Sequence, residues 1–155
     1  MATESSKQTT FGTTLQLING DLAFEDGDLA MIEGRENLLL AMQLMIETPF
    51  GSDVFNVNYG FDLFSVMSVP QTVGSAKAVI RLNIVKSLSQ DNRVREVKEI
   101  VFDDEPRFFE ISPNENESEH RRTRKTERRW QTVVLLETIS EGEVALLLEG
   151  AGLKA

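Results

Sequence analysis

The sequence of 155 residues has no cysteine and a single histidine. Disulfide scaffolds, Cys/His zinc sites and thiol nucleophiles are therefore excluded, and most Ser-His-Asp arrangements go with them. Long apolar runs are also missing. Runs such as Ala145 to Leu148 are far short of a membrane span. The first ten residues, MATESSKQTT, have neither a basic n-region nor an apolar h-region, so no secretory signal is expected. Basic residues are in the minority, 16 against 25 acidic, for a formal charge of −9. Such a balance disfavours nucleic acid and anionic membrane as partners, because both require a positive footprint. No internal repeat is apparent. The expectation is a chain made in the cytoplasm, with no cofactor and no metal, whose function lies in its surfaces.

What is present is enough to fold. The apolar fraction of 41% and charged fraction of 26% are ordinary for globular proteins. A chain of this length can bury a core without covalent or metal staples. The expected class is α+β: a small single domain with two main helices packed on an antiparallel sheet and a C-terminal β-hairpin. Residues 1–14 are rich in Ser and Thr and are expected to be a flexible arm. Residues 15–149 then form the domain, 112–128 a polar loop within it, and 150–155 a short tail.

Between Leu15 and Ile32, short apolar stretches are separated by Asn19-Gly20-Asp21 and Glu25-Asp26-Gly27-Asp28. Asn-Gly and Asp-Gly predict hairpin turns. Asp21, Glu25, Asp26 and Asp28 could suggest calcium, but their spacing does not match an EF-hand loop. A solvated turn is the simpler account. Leu38, Leu39, Met42, Met45 and Ile46 recur at helical spacing over 35–48, and Pro49 and Gly51 stop that helix. The aromatic stretch from Phe50 to Met67 is expected to be packed and to lead into a short helix at 62–67. Pro70 is placed to open the next helix, over 71–89, with Val73, Ala76, Ile80, Ile84 and Leu88 on one stripe. A strand is expected over 92–102, a second extended stretch over 107–111, and a hairpin from 129–139 and 143–149.

That hairpin does not alternate cleanly. Val133 to Leu136 and Leu146 to Leu148 are unbroken apolar runs, which predicts burial on both faces. Either the protein's own helices cover one face and another part of its own sheet the other, or another chain adds a strand or a cover there. Val133, Leu135, Val144, Leu146 and Leu148 are the candidate residues for such a partner strand. The segment from His120 to Arg129 holds six Arg or Lys and one Glu. Arg121, Arg122, Arg124 and Lys125 are its candidate docking residues, with a solvated loop as the alternative.

Over 34–102 the chain resembles the phage baseplate wedge family called gene product W/gene product 25-like, which includes the TssE-type subunit of type VI secretion baseplates. The resemblance rests on Ile46, Thr48 and Gly51, then Tyr59-Gly60, the helix over 71–89, and Arg93-Val94 with Val97 and Ile100. The stretch GDLAFEDGDLAMIEGRENLLLAM is similar to the version found in extracellular contractile injection systems. At the place of the family's Glu-Pro-Arg motif stand Asp91-Asn92-Arg93, while a literal Glu105-Pro106-Arg107 lies farther on. The wedge-interaction role is carried to Asp91 and Arg93, with Glu105 and Arg107 as the other choice.

The resemblance implies a structural, non-enzymatic subunit, present as six copies around a hub. Its implied partners are other wedge proteins, the contractile sheath subunit and, near the hub, spike and tube-initiator proteins. The particle would be a phage tail or a tail-like device, released extracellularly in some systems. Two other classes compete with it. One is a lysozyme-like peptidoglycan hydrolase using a carboxylate pair such as Glu47 and Asp53. The other is a nucleic-acid-binding protein using the basic segment.

Overall fold

A computed structural model describes residues 11–68, 72–112 and 131–149. The fold is α+β, with helices, antiparallel strand pairs and a C-terminal hairpin. Contacts divide the chain into two compact units, Met1–Met42 and Gln43–Ala155, so the one domain expected over 15–149 parts inside its first helix.

The first unit is a set of three short antiparallel pairs. Strands β1 (Thr13–Leu15) and β6 (Met31–Glu33) form one; β2 (Leu17–Ile18) with β3 (Asp21–Leu22), and β4 (Phe24–Glu25) with β5 (Asp28–Leu29), form the others. Both inner hairpins turn through two residues with positive φ, Asn19 (54°) and Gly20 (84°) in one, Asp26 (51°) and Gly27 (88°) in the other. That is the type I′ geometry for which Asn-Gly and Asp-Gly are selected. Where the pairs meet, Gln16 N–H donates to Ala30 C=O, Ala23 N–H to Gln16 C=O, and Ala30 N–H to Ala23 C=O, at 2.8, 3.0 and 2.9 Å. A closed triangle of backbone bonds at positions 16, 23 and 30 exposes a seven-residue repeat, of which NGDLA and DGDLA are the matching halves. The expectation of no repeat is thereby corrected. Two short, divergent copies carry too little hydrophobic pattern to stand out until the backbone closes the ring.

The described residues include 11–14 of the expected arm. Phe11 is buried, its carbonyl accepts from Asn37 Nδ2 at 2.7 Å, and the strand at Thr13 follows at once. Only residues 1–10 of the expected arm lie outside the described residues. Helix α1 (Gly34–Glu47) then runs with Leu38 and Met42 fully buried, and ends where Thr48 donates through both N–H and hydroxyl to Leu44 C=O.

In the second unit, helix α2 (Leu63–Met67) is capped by Asp62, and helix α3 (Val73–Leu88) by Thr72, whose hydroxyl accepts from Ser75 N–H at 3.3 Å. Pro70 lies outside the described residues. Strand β7 (Val94–Phe102) follows α3 as expected. Residues Pro106–Ile111 are a helix, α4, and not the extended stretch expected over 107–111. Six residues with aromatics at 108 and 109 fit either period; Pro106 at the first helical turn settles it, since its fixed φ suits that position and no backbone donor is lost. Strands β8 (Gln131–Thr138) and β9 (Gly142–Glu149) complete an antiparallel sheet of order β7-β8-β9.

Register places α3 and α4 on opposite faces. Phe102 pairs with Thr132, so Phe102, Thr132, Val134 and Leu136 share one face, and from α3 Lys77 and Arg81 lie over the Phe102 ring at 5.0 and 4.9 Å from its centroid. Lys77 also pairs with Asp104, and Arg81 with Glu105. On the other face Val101, Val133 and Leu135 enclose Phe108 of α4. Helix α4 thus covers β7 and β8 on one face, and α3 lies over the end of β7 on the other.

The segment joining α1 to α2 is held by glycine. Gly60 has φ of 109°, and a Cβ there would lie 2.5 Å from Thr48 O and 2.9 Å from the Pro49 carbonyl. Gly60 C=O in turn accepts from Ser87 Oγ of α3 at 2.9 Å. Gly60→Ala is therefore expected to destabilise by at least about 3 kcal/mol, from unfavourable φ plus a backbone clash. Gly74→Ala in α3, where a Cβ meets nothing within 4 Å, should instead stabilise by about 0.5–1 kcal/mol. Denaturant unfolding of the two variants side by side checks both signs.

Candidate functional site

Three surfaces of the second unit carry residues singled out in the sequence. The first is the turn between α3 and β7. Asp91 N–H donates to Leu88 C=O and Asp91 C=O accepts from Val94 N–H, so the helix ends and the strand begins within one turn. Over it Arg93 forms a fork: Nε donates to Asp91 Oδ1 at 2.9 Å and Nη2 to Oδ2 at 2.7 Å, while Arg93 N–H also donates to Oδ1. Burial works against ionisation of Asp91, yet the bonds from Arg93 outweigh it and hold the carboxyl below its ordinary range. The bond to Asp91 likewise holds Arg93 above its usual value. Tyr59 stands close enough for Asp91 to act on it: burial, then the charges of Asp91 and Asp53, push the phenol up. Tyr59 is thus within electrostatic reach of the Asp91/Arg93 turn.

The literal Glu105-Pro106-Arg107 is spread over other duties. Glu105 pairs with Arg81, Pro106 opens α4, and Arg107 reaches Glu110 at 2.8 Å and Glu99 at 3.6 Å.

The second surface is the loop between α1 and α2, expected to be packed because it is aromatic. Phe61 is buried, but Val54 is 87% exposed and Phe55 101%, and Phe64, in the first turn of α2, is 81% exposed. The loop can hold its rings out because its backbone is satisfied locally. Asp53 Oδ1 accepts from the N–H groups of Phe55 and Asn56, and Asn56 Oδ1 from that of Asn58. Sequence composition shows aromatic content but not where the Asx turns aim it. Glu47 accepts from Gln43, and Asp53 serves the loop backbone.

The third surface is the C-terminal hairpin. Burial on both faces holds for β8, where Thr132 to Leu136 are all buried. It does not hold for β9: Val144, Leu146 and Leu148 are buried, whereas Glu143 and Ala145 are exposed and Leu147 is 37% exposed. Val133 and Leu135, candidates for a partner strand, are already filled by α4. What is left open is the outer edge of β9, unpaired among the described residues. The two edges of the sheet differ. Pairing of β7 with β8 is interrupted by two register shifts and carries Arg95, Glu96 and Lys98 on exposed positions. Pairing of β9 with β8 runs unbroken from Gln131↔Glu149 to Thr138↔Gly142. Bulges and charge blunt an edge; a straight, mostly apolar one accepts a further strand.

Arg121, Arg122, Arg124 and Lys125 lie outside the described residues, as does most of the expected 112–128 loop and the 150–155 tail. Among the described residues no group of His, Asp or Glu side chains is placed to hold a metal ion, and no helix is long and apolar enough to cross a membrane. Compared with known proteins, the chain matches no family model and no curated protein.

Because Asp91 is held ionised in the fold, its contribution to stability is complete above the unfolded carboxylate pKa of about 4 and is lost as pH falls through the lower folded value. Asp91→Asn should therefore destabilise at neutral pH, by roughly 1–3 kcal/mol for a charge-assisted pair. The gap to wild type should close on acidification below about pH 4. Unfolding midpoints measured from pH 7 to pH 2 check this; a gap that is constant with pH would remove the ion pair as the cause.

Proposed function

We propose that this protein is a structural subunit of a contractile injection baseplate, bound by wedge proteins and starting the contractile sheath by accepting a strand at β9. The observation that carries the reading is the asymmetry of the sheet: one edge is kinked and charged, and the other is continuous over the whole of β9. A continuous open edge is the template required for β-augmentation. The order of elements supports it, since helix, Tyr59-Gly60, long helix and Arg93-Val94 strand stand in the order that the resemblance requires. Val54, Phe55 and Phe64 are further exposed apolar side chains suited to a neighbour in an assembly. The Asp91/Arg93 turn is the proposed wedge contact. Its fork is closed on itself, so it offers a neighbour a fixed turn in place of a free guanidinium.

Deleting β9 is a poor test, because Val144, Leu146 and Leu148 are core residues. Ala145→Asp with Leu147→Asp charges the exposed face of the edge and leaves that core intact. The doubly substituted chain should lose about 1–2 kcal/mol, because Leu147 is partly covered, but should remain folded and still copurify with wedge proteins. Baseplates assembled with it should carry no sheath in electron micrographs, and normal sheaths would overturn the proposal. Arg93→Ala should lower recovery of wedge proteins in a pull-down; unchanged recovery would move the wedge contact elsewhere.

A further inference from the structure

The edge of β9 carries a charge pattern that narrows what can pair with it. Three glutamates stand in a row across the sheet: Glu96 on β7 opposite Glu137 on β8, and Glu137 opposite Glu143 on β9. Like charges directly opposite one another are unfavourable in a sheet. Within the row the cations are all on the β7 side. Lys98 Nζ lies 2.7 Å from Glu137 Oε2, and Arg95 Nη1 3.4 Å from Oε1. The bond from Lys98, chiefly, holds Glu137 below its ordinary value, and Glu137 in return raises Lys98, with Glu143 and Glu96 adding to it. Glu143 ends the row at the open edge, exposed and without an ion pair among the described residues.

Along β9, Glu143, Ala145 and Leu147 share the exposed face, because side chains alternate and 144, 146 and 148 are buried. Glu143 and Leu147 are therefore about 13 Å apart on one face. Resting on the strand-addition reading above, we infer that the strand β9 accepts carries a Lys or Arg beside Glu143 and a large apolar residue four positions away, beside Leu147. The cation continues the row of glutamates with the opposite sign; the apolar residue covers the part of Leu147 that remains exposed. A strand with an acid at the first position would add a fourth like charge to the row and be rejected.

The test uses the full-length chain and fluorescent eight-residue peptides of alternating apolar and polar residues, each with a Leu and, four positions away, either Lys or Glu. Each is made in both chain directions. By anisotropy, the Lys peptide should bind about two- to five-fold more tightly than the Glu peptide, the range for one cross-strand charge pair. The preference should reverse with Glu143→Lys and fade at about 0.5 M salt. Equal binding of both peptides to wild type overturns the cation rule and leaves strand addition standing. A Lys preference that persists in Glu143→Lys reflects only the net charge of −9 and also overturns it. Binding of neither peptide overturns strand addition itself, and the cation rule with it.

Discussion

Burial of β8 on both faces is the constraint from which the second unit is built. From Thr132 to Leu136 no side chain of this strand reaches solvent. An antiparallel sheet normally keeps one face wet, so a strand of this kind needs cover from two directions and a neighbour on each side. Helix α4 supplies one cover through Phe108, and α3 lies along Phe102 on the other. Over Phe102 that cover is not purely apolar. Lys77 and Arg81 lay their cationic ends on the ring and are anchored by Asp104 and Glu105, which follow β7 directly. One aromatic ring and two acids thereby tie the helix to the strand end, and the one cation that is buried, Lys77, has its partner in place, as it must.

Much of this was legible in the sequence because β8 states its environment in its own residues. An unbroken Val-Val-Leu-Leu run inside a strand points to two dry faces, and in the central strand, flanked on both sides, that reading holds. The type I′ turns were legible for a comparable reason: Asn-Gly and Asp-Gly solve a local steric problem that few other pairs solve. The failures have a common cause. In α4, in the loop around Phe55 and in β9, the residue types are apolar but the period is too short to say which direction they face. Pro106 and Asp53 decided the first two through backbone geometry, one by opening a helix and the other by capping a loop. For β9 the tertiary neighbour decided. Leu146 and Leu148 face the covered side, and Leu147 falls where cover stops.

The net acidity also takes on structure. In the first unit, Asp21, Glu25, Asp26 and Asp28 are exposed in or beside tight turns, where they cost the fold little. On the sheet, the same excess is arranged as a row that is neutralised at its middle and left open at its end. Glu137 holds two cations while Glu143 holds none among the described residues. Composition gives the sum of these charges. Only the register tells which of them are already answered.

The turn and the strand edge, proposed as contacts for different partners, belong to one end of the sheet. Ile139 N–H donates to Arg93 C=O at 3.1 Å, directly after the Asp91–Arg93 fork. Val94 pairs with Thr138, whose hydroxyl donates to Gly142 C=O and accepts from Glu141 N–H. A continuous path of backbone and hydroxyl bonds therefore runs from Asp91 through the start of β7 and the end of β8 to the first residue of β9. Glu143 is the next residue along it. A protein that grips the Asp91/Arg93 turn would therefore sit at a fixed distance from the point where an added strand must align, so in the proposed assembly the two contacts are positioned by one hydrogen-bonded piece of the fold.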